Sequence, residues 1–155
     1  MLQDTIAKEL HEAMAAKNEL RLSVFRLLSA AIHNREISER TKRRAGVALS
    51  DEEILQVVRG EMKKRNDAVE AYAAGGRHEA AAREREEAAV LALLLPPELS
   101  DAELAVFVEE GMRALGASSE APSFGKLMGW LKGRVLGRAS GERVLAAARK
   151  RLADA

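Results

Sequence analysis

Leu49-Ser50-Asp51-Glu52-Glu53-Ile54 and Leu99-Ser100-Asp101-Ala102-Glu103-Leu104 repeat one local design. In each, the serine hydroxyl can accept from the amide three residues on, and the glutamate there can accept from the serine's own amide. Two orphan donors of a helix start are satisfied reciprocally. Leu49 with Ile54 and Leu99 with Leu104 add the hydrophobic staple that fixes how the chain enters the helix. Acidic residues in both first turns suit the positive end of the helix dipole. These two starts commit the chain to helices at 51 and 101. The remainder agrees, because alanine, leucine, glutamate and arginine dominate and aromatic residues make up 3%. Such a composition favours helix over strand, so the expected fold class is all-α.

Apolar spacing places the other helices. Leu2, Ile6, Leu10 and Met14 recur at four and predict a helix from Leu2 to about Ala16. Leu20, Val24, Leu27, Leu28, Ala31 and Ile32 form a second stripe, followed by a polar, basic stretch from Arg35 to Gly46. The helix beginning at Asp51 runs to about Ala74, with Ile54, Val58, Met62, Val69 and Tyr72 facing inward. Gly75-Gly76 closes it, since glycine tolerates the left-handed conformation after a helix end. A fourth helix spans Arg77 to about Leu94 and must stop at Pro96-Pro97, where a donor is missing and the ring clashes with the preceding turn. Three shorter helices follow: Asp101 to Leu115, Phe124 to about Val135, and Gly141 to about Leu152 with Ser140 as N-cap. The expected organisation is a larger N-terminal helical array over 1–95 and a small C-terminal three-helix bundle over 98–155.

With 155 residues the chain can bury roughly 70% of its unfolded surface, so it needs no covalent staple. It has no cysteine, which excludes disulfides, thiol catalysis and cysteine-ligated metal, and fits a reducing cytoplasm. Met1 to Ala15 mixes apolar with charged positions, so a secretory signal is not expected. The longest apolar run, Ala88 to Pro97, is about half of what a membrane span requires. Net charge is +1, but the charge is segregated. Between 123 and 151 stand Lys126, Lys132, Arg134, Arg138, Arg143, Arg149, Lys150 and Arg151 against Glu142 alone.

Catalytic chemistry finds little support. No serine has a sensibly spaced base or the surroundings of an oxyanion hole. Ser118-Ser119 reads as an interhelical turn. His11, His33 and His78 are scattered, and no pair has the spacing that offers two imidazoles to one metal. The carboxylate pairs Glu52/Glu53, Glu86/Glu87 and Glu109/Glu110 are neighbours in sequence and point about 100° apart on a helix. They read as solvated faces. No phosphate-binding loop of the Gly-x-x-x-x-Gly-Lys-[Ser/Thr] form occurs. No catalytic residue, metal ligand or cofactor site is therefore assigned.

One dense constellation remains. From 125 to 141 glycine recurs every fourth residue: Gly125, Gly129, Gly133, Gly137 and Gly141. Each glycine inside a helix costs about 1 kcal/mol relative to alanine. Five of them imply either a gain from missing side chains or a broken helix. Close helix packing with a turn at Gly137 is one reading. The other is close backbone approach to phosphate, with Lys126, Lys132, Arg134, Arg138 and Arg143 around it.

At this motif the chain resembles the GatB/YqeY family, whose tail has the form Gly-Lys-Val-Met-Gly, a basic stretch, then Gly-Arg-Ala-Asp-Gly. Here it reads Gly125-Lys126-Leu127-Met128-Gly129 and Gly137-Arg138-Ala139-Ser140-Gly141. Further similarity lies in Arg21-Leu22-Ser23-Val24-Phe25-Arg26-Leu27-Leu28-Ser29-Ala30-Ala31 and in Leu95-Pro96-Pro97-Glu98-Leu99-Ser100. Departures are Gly133 at a position often proline, Leu136 at a common lysine, and Ser140 for aspartate. The resemblance implies an all-helical, two-lobed fold. It also implies kinship with the C-terminal module of the B subunit of tRNA-dependent amidotransferases, which helps engage the tRNA body. The glutaminase and phosphorylating parts of that enzyme lie outside the module.

Three expectations follow. The leading one is an accessory or binding module that takes tRNA through the basic C-terminal lobe, without a catalytic centre of its own. The second is a helical protein-interaction module docking on a helical partner, such as a translation-related protein, without touching RNA. The third, inherited from the large enzyme, is carbon–nitrogen ligase activity with glutamine as amido donor, exercised as part of a larger complex.

Overall fold

The computed structural model describes residues 1–40, 48–116, 121–135 and 137–154. Every regular element among them is a helix: α1 (Leu2–Ala15), α2 (Glu19–Arg40), α3 (Asp51–Ala74), α4 (His78–Ala92), α5 (Asp101–Leu115), α6 (Phe124–Val135) and α7 (Gly141–Ala153). The expected all-helical class is what the chain adopts. It divides into two compact units, Met1–Leu95 and Pro96–Ala155. The turn expected at Ser118-Ser119, the stretch from 41 to Gly46 and Leu136 lie outside the described residues.

In the N-terminal unit α1 to α4 close over a core of Ile6, Val24, Phe25, Leu28, Ile32, Leu49, Ile54, Val58 and Leu91. Most of this follows the apolar stripes. Met14 and Leu27 depart furthest, at 52% and 48% exposed, because the stripe on each helix is wider than the surface its neighbours cover. Phe25, outside the stripe assigned to α2, is buried instead. At the start of α3 the Ser50 amide donates to Glu53 at 2.8 Å and the Glu53 amide donates to the Ser50 hydroxyl at 3.3 Å, as the capping box requires. At its end the Arg77 amide reaches the Tyr72 carbonyl at 2.8 Å and the Gly76 amide reaches Ala73 at 3.1 Å. With Gly76 at φ +73° this is a Schellman turn. The α1–α2 turn has the same bonding, Asn18 to Ala13 and Lys17 to Met14, but there Lys17 holds the left-handed position at φ +52°.

A polar cluster joins α3 to α4. Arg65 Nε lies 3.0 Å from Glu87 and 3.7 Å from Glu84, and its Nη2 is 4.0 Å from Glu61. Lys64 and Arg83 reach Glu61 and Glu87 from the rim, at 2.7 and 3.8 Å. Glu61 and Glu87 are both buried. The expectation that Glu86/Glu87 forms a solvated face is therefore corrected for Glu87. A carboxylate can enter this interior because a guanidinium meets it there.

In the C-terminal unit α5, α6 and α7 enclose Leu99, Leu104, Val108, Leu127, Leu131, Val135, Ala139, Val144 and Ala148. The second capping box is formed as expected, Ser100 amide to Glu103 at 2.8 Å and Glu103 amide to Ser100 hydroxyl at 3.2 Å. These bonds hold the Glu103 carboxyl below its ordinary range, with the Ser100 amide the largest cause and the Ser100 hydroxyl next. Asp101 pairs with Arg143 and Glu109 with Arg151. Both pairs step by eight residues on each helix, so α5 and α7 run parallel.

Candidate nucleic-acid interface

The structure divides the five candidate cations into two groups. Arg138 and Arg143 hold the segment that enters α5. Arg138 Nε donates to the Pro97 carbonyl at 3.1 Å, and its own carbonyl accepts from the Leu99 amide at 2.7 Å. Arg143 Nη2 donates to the Leu99 carbonyl and to Asp101, each at 2.7 Å, and its Nη1 stands 3.8 Å from Glu98. A guanidinium with these acceptors is committed to keeping the 97–101 segment against the start of α7. Sequence spacing offers no sign of this, because the acceptors lie about forty residues upstream.

Lys126, Lys132 and Arg134 belong to α6 and are exposed. Among the described residues no carboxylate pairs with them. The Arg134 guanidinium instead lies over the Trp130 ring, 4.9 Å from its centroid. Leu127, Leu131 and Val135 turn the opposite side of α6 into the core. At about 100° per residue, Gly125, Gly129 and Gly133 fall on one strip away from that core, with Lys132 along one edge and Lys126 along the other.

Within its own unit that strip is open. Among the described residues, a Cβ placed on Gly125, Gly129 or Gly133 would meet no atom within 4 Å, and the same holds for Gly141, the first residue of α7. Helix packing within the unit therefore does not account for these glycines. The helix also ends at Val135, so the regular strip covers three glycines instead of five. Gly137 makes the turn beyond it, with φ +69°. Close packing occurs at a glycine the spacing did not single out. A Cβ on Gly111 of α5 would lie 2.9 Å from Leu127 Cδ1 and 2.9 Å from Trp130 Cε3. Its signal in the sequence is only that it interrupts the helix promised by the Ser100 box.

Between α5 and α7 lies a groove of about 410 Å³ over Leu104 and Val108, rimmed by Asp101, Glu109, Arg143 and Lys150. No group of histidine, aspartate and glutamate side chains among the described residues is arranged to hold a metal ion. No described helix is long and apolar enough to cross a membrane. The arrangement on α6 combines bare, accessible backbone with two exposed lysines and one stacked arginine, none of them paired with a carboxylate among the described residues. It can approach an anionic polymer closely while reading little of its sequence.

The family described as Yqey-like protein matches residues 3–152, so the likeness first seen at the glycine motif extends over nearly the whole chain. No curated protein matches it.

Proposed function

The chain belongs to the Yqey-like protein family, and on that premise we propose that it is a tRNA-related binding module that grips the phosphate backbone through α6. The observation that carries this reading is the open strip of Gly125, Gly129 and Gly133 bordered by Lys126 and Lys132. A phosphate can approach the helix where no side chain stands, and each cation it meets releases counter-ions from the nucleic acid. Arg134 adds a planar fork suited to two phosphate oxygens. The module has no catalytic centre of its own in this reading, and any carbon–nitrogen ligase activity would belong to a larger complex.

The test is binding of the purified chain to total tRNA across a salt series, with duplex DNA as comparison. Affinity that prefers tRNA and falls steeply with salt supports the proposal. Equal, weak binding to both overturns it. The second reading, a protein-interaction module, draws on the groove between α5 and α7. A specific protein recovered from a nuclease-treated extract, and lost when Ala147 in that groove is changed to glutamate, would favour it.

A further inference from the structure

Gly111, Trp130 and Arg134 form a chain of contacts from the backbone of α5 to the outer face of α6. Glycine inside a helix is destabilising relative to alanine, yet α5 places one where its backbone faces Leu127 and Trp130. Any Cβ there would collide with the indole, 2.9 Å from Cε3 and 3.2 Å from Cζ3. The ring thus lies in a notch that only glycine provides. Leu127, Leu131 and Val135 already fill the core on this side, and Trp130 stays partly exposed. One turn further on, Arg134 lays its guanidinium over the ring. With no carboxylate partner among the described residues, it is the ring that restrains Arg134. Among the described residues Lys126 and Lys132 have no comparable restraint.

We infer that Gly111 and Trp130 are positioning residues for Arg134, holding its guanidinium pre-oriented for a phosphate while the flanking lysines supply charge alone. This rests on the phosphate-binding reading of α6. A stacked guanidinium has already lost much of its rotamer freedom, so less is lost when its fork closes on two oxygens.

Trp130 is the single tryptophan of the chain, so its emission reports the stack directly, without RNA. The experiment uses the full chain as Gly111→Ala, Arg134→Gln, their combination, Trp130→Phe and Trp130→Leu, with thermal melts to confirm folding. Gly111→Ala and Arg134→Gln should each alter Trp130 emission. Gly111→Ala and Trp130→Leu should weaken tRNA binding about two- to fivefold, the range of an exposed cation–π contact. Both should keep the salt slope of the parent, whereas Arg134→Gln lowers it by about one. Trp130→Phe keeps a ring under the guanidinium and should bind within about twofold of the parent. In the Arg134→Gln background Gly111→Ala should add nothing. If it weakens binding equally there, or if Trp130→Leu binds like the parent while Arg134→Gln does not, the positioning role is overturned and the phosphate site stands. If Arg134→Gln leaves affinity unchanged, Arg134 is no phosphate contact and the inference falls. Loss of binding on reversing Lys126 and Lys132 would then still uphold the wider reading. Where Gly111→Ala fails to fold, the Trp130 pair decides.

Discussion

Arg65 in the N-terminal unit and Lys126 in the C-terminal unit are both basic residues on helices, and their surroundings are opposite. Arg65 has three carboxylates within 4.0 Å, two of them on buried residues. Lys126 stands exposed beside a strip of bare backbone with no carboxylate near it among the described residues. One unit turns charge inward and neutralises it across a helix pair. The other keeps an apolar core and leaves the cations of α6 facing outward. The lesson is that local charge count does not mark a binding face. Which cations are left without a partner depends on what the fold brings opposite each side chain, and on the proposed reading those are the ones that meet phosphate.

The largest expected effect probes the inward arrangement. Arg65→Ala takes from buried Glu87 its nearest cation, leaving among the described residues only Arg83 at 3.8 Å, and should cost about 3 kcal/mol, the scale for breaking a buried pair. Hydrogen exchange should show the loss in α3 and α4 while tRNA affinity of the folded protein stays unchanged. A parallel loss of binding would mean that the two units do not divide the work as described. Next comes the outward arrangement. Lys126→Glu/Lys132→Glu/Arg134→Glu should weaken tRNA binding about 100-fold at moderate salt and flatten the salt dependence by about two to three charges. Helicity by circular dichroism should not change. Unchanged affinity would remove α6 as the binding face.

Arg143→Ala separates the cations that hold the C-terminal unit together from the exposed cations of α6. It should destabilise that unit by about 1.5 kcal/mol, since a charged donor to Leu99 and Asp101 is lost. The salt slope of tRNA binding should remain that of the parent; a slope lowered by one would return Arg143 to the phosphate contacts. Ser100→Ala removes an N-cap and should cost about 1 kcal/mol by denaturant titration. The same box gives a pH dependence. Because folding lowers the Glu103 carboxyl, its contribution is complete above the ordinary carboxylate range and fades as pH falls through the lowered value. Ser100→Ala should therefore lose less stability on acidification than the parent. The smallest effect runs the other way. Lys17→Gly relieves a left-handed residue and should raise the melting temperature slightly, for a gain of about 0.5–1 kcal/mol.

The sequence carried the helix starts because capping is a local matter. Ser50 and Ser100 find their partners three residues away, so both boxes could be read before any tertiary contact was known. Pro96-Pro97 and Gly75-Gly76 mark ends for the same reason: a missing donor and a tolerated φ are properties of the residue itself. The all-helical class and the basic character of the tail were likewise set by composition and order.

The roles of individual side chains were decided only when distant helices met. Arg138 and Arg143 look like Lys126 in sequence, yet they bond to Pro97 and Leu99 across some forty residues. Glu87 looks solvated beside Glu86, yet α3 brings Arg65 to it. The glycines at every fourth position suggest packing, yet no described residue of the unit packs on the face they share on α6, while Gly111 holds a tight contact. Helix formation is governed by bonds between near neighbours, so sequence alone determined the order of the helices and most of their bounds, although α2 runs through Arg40, past the end of its apolar stripe. Burial, pairing and exposure depend on which faces of separate helices come together, and that only the tertiary structure decided.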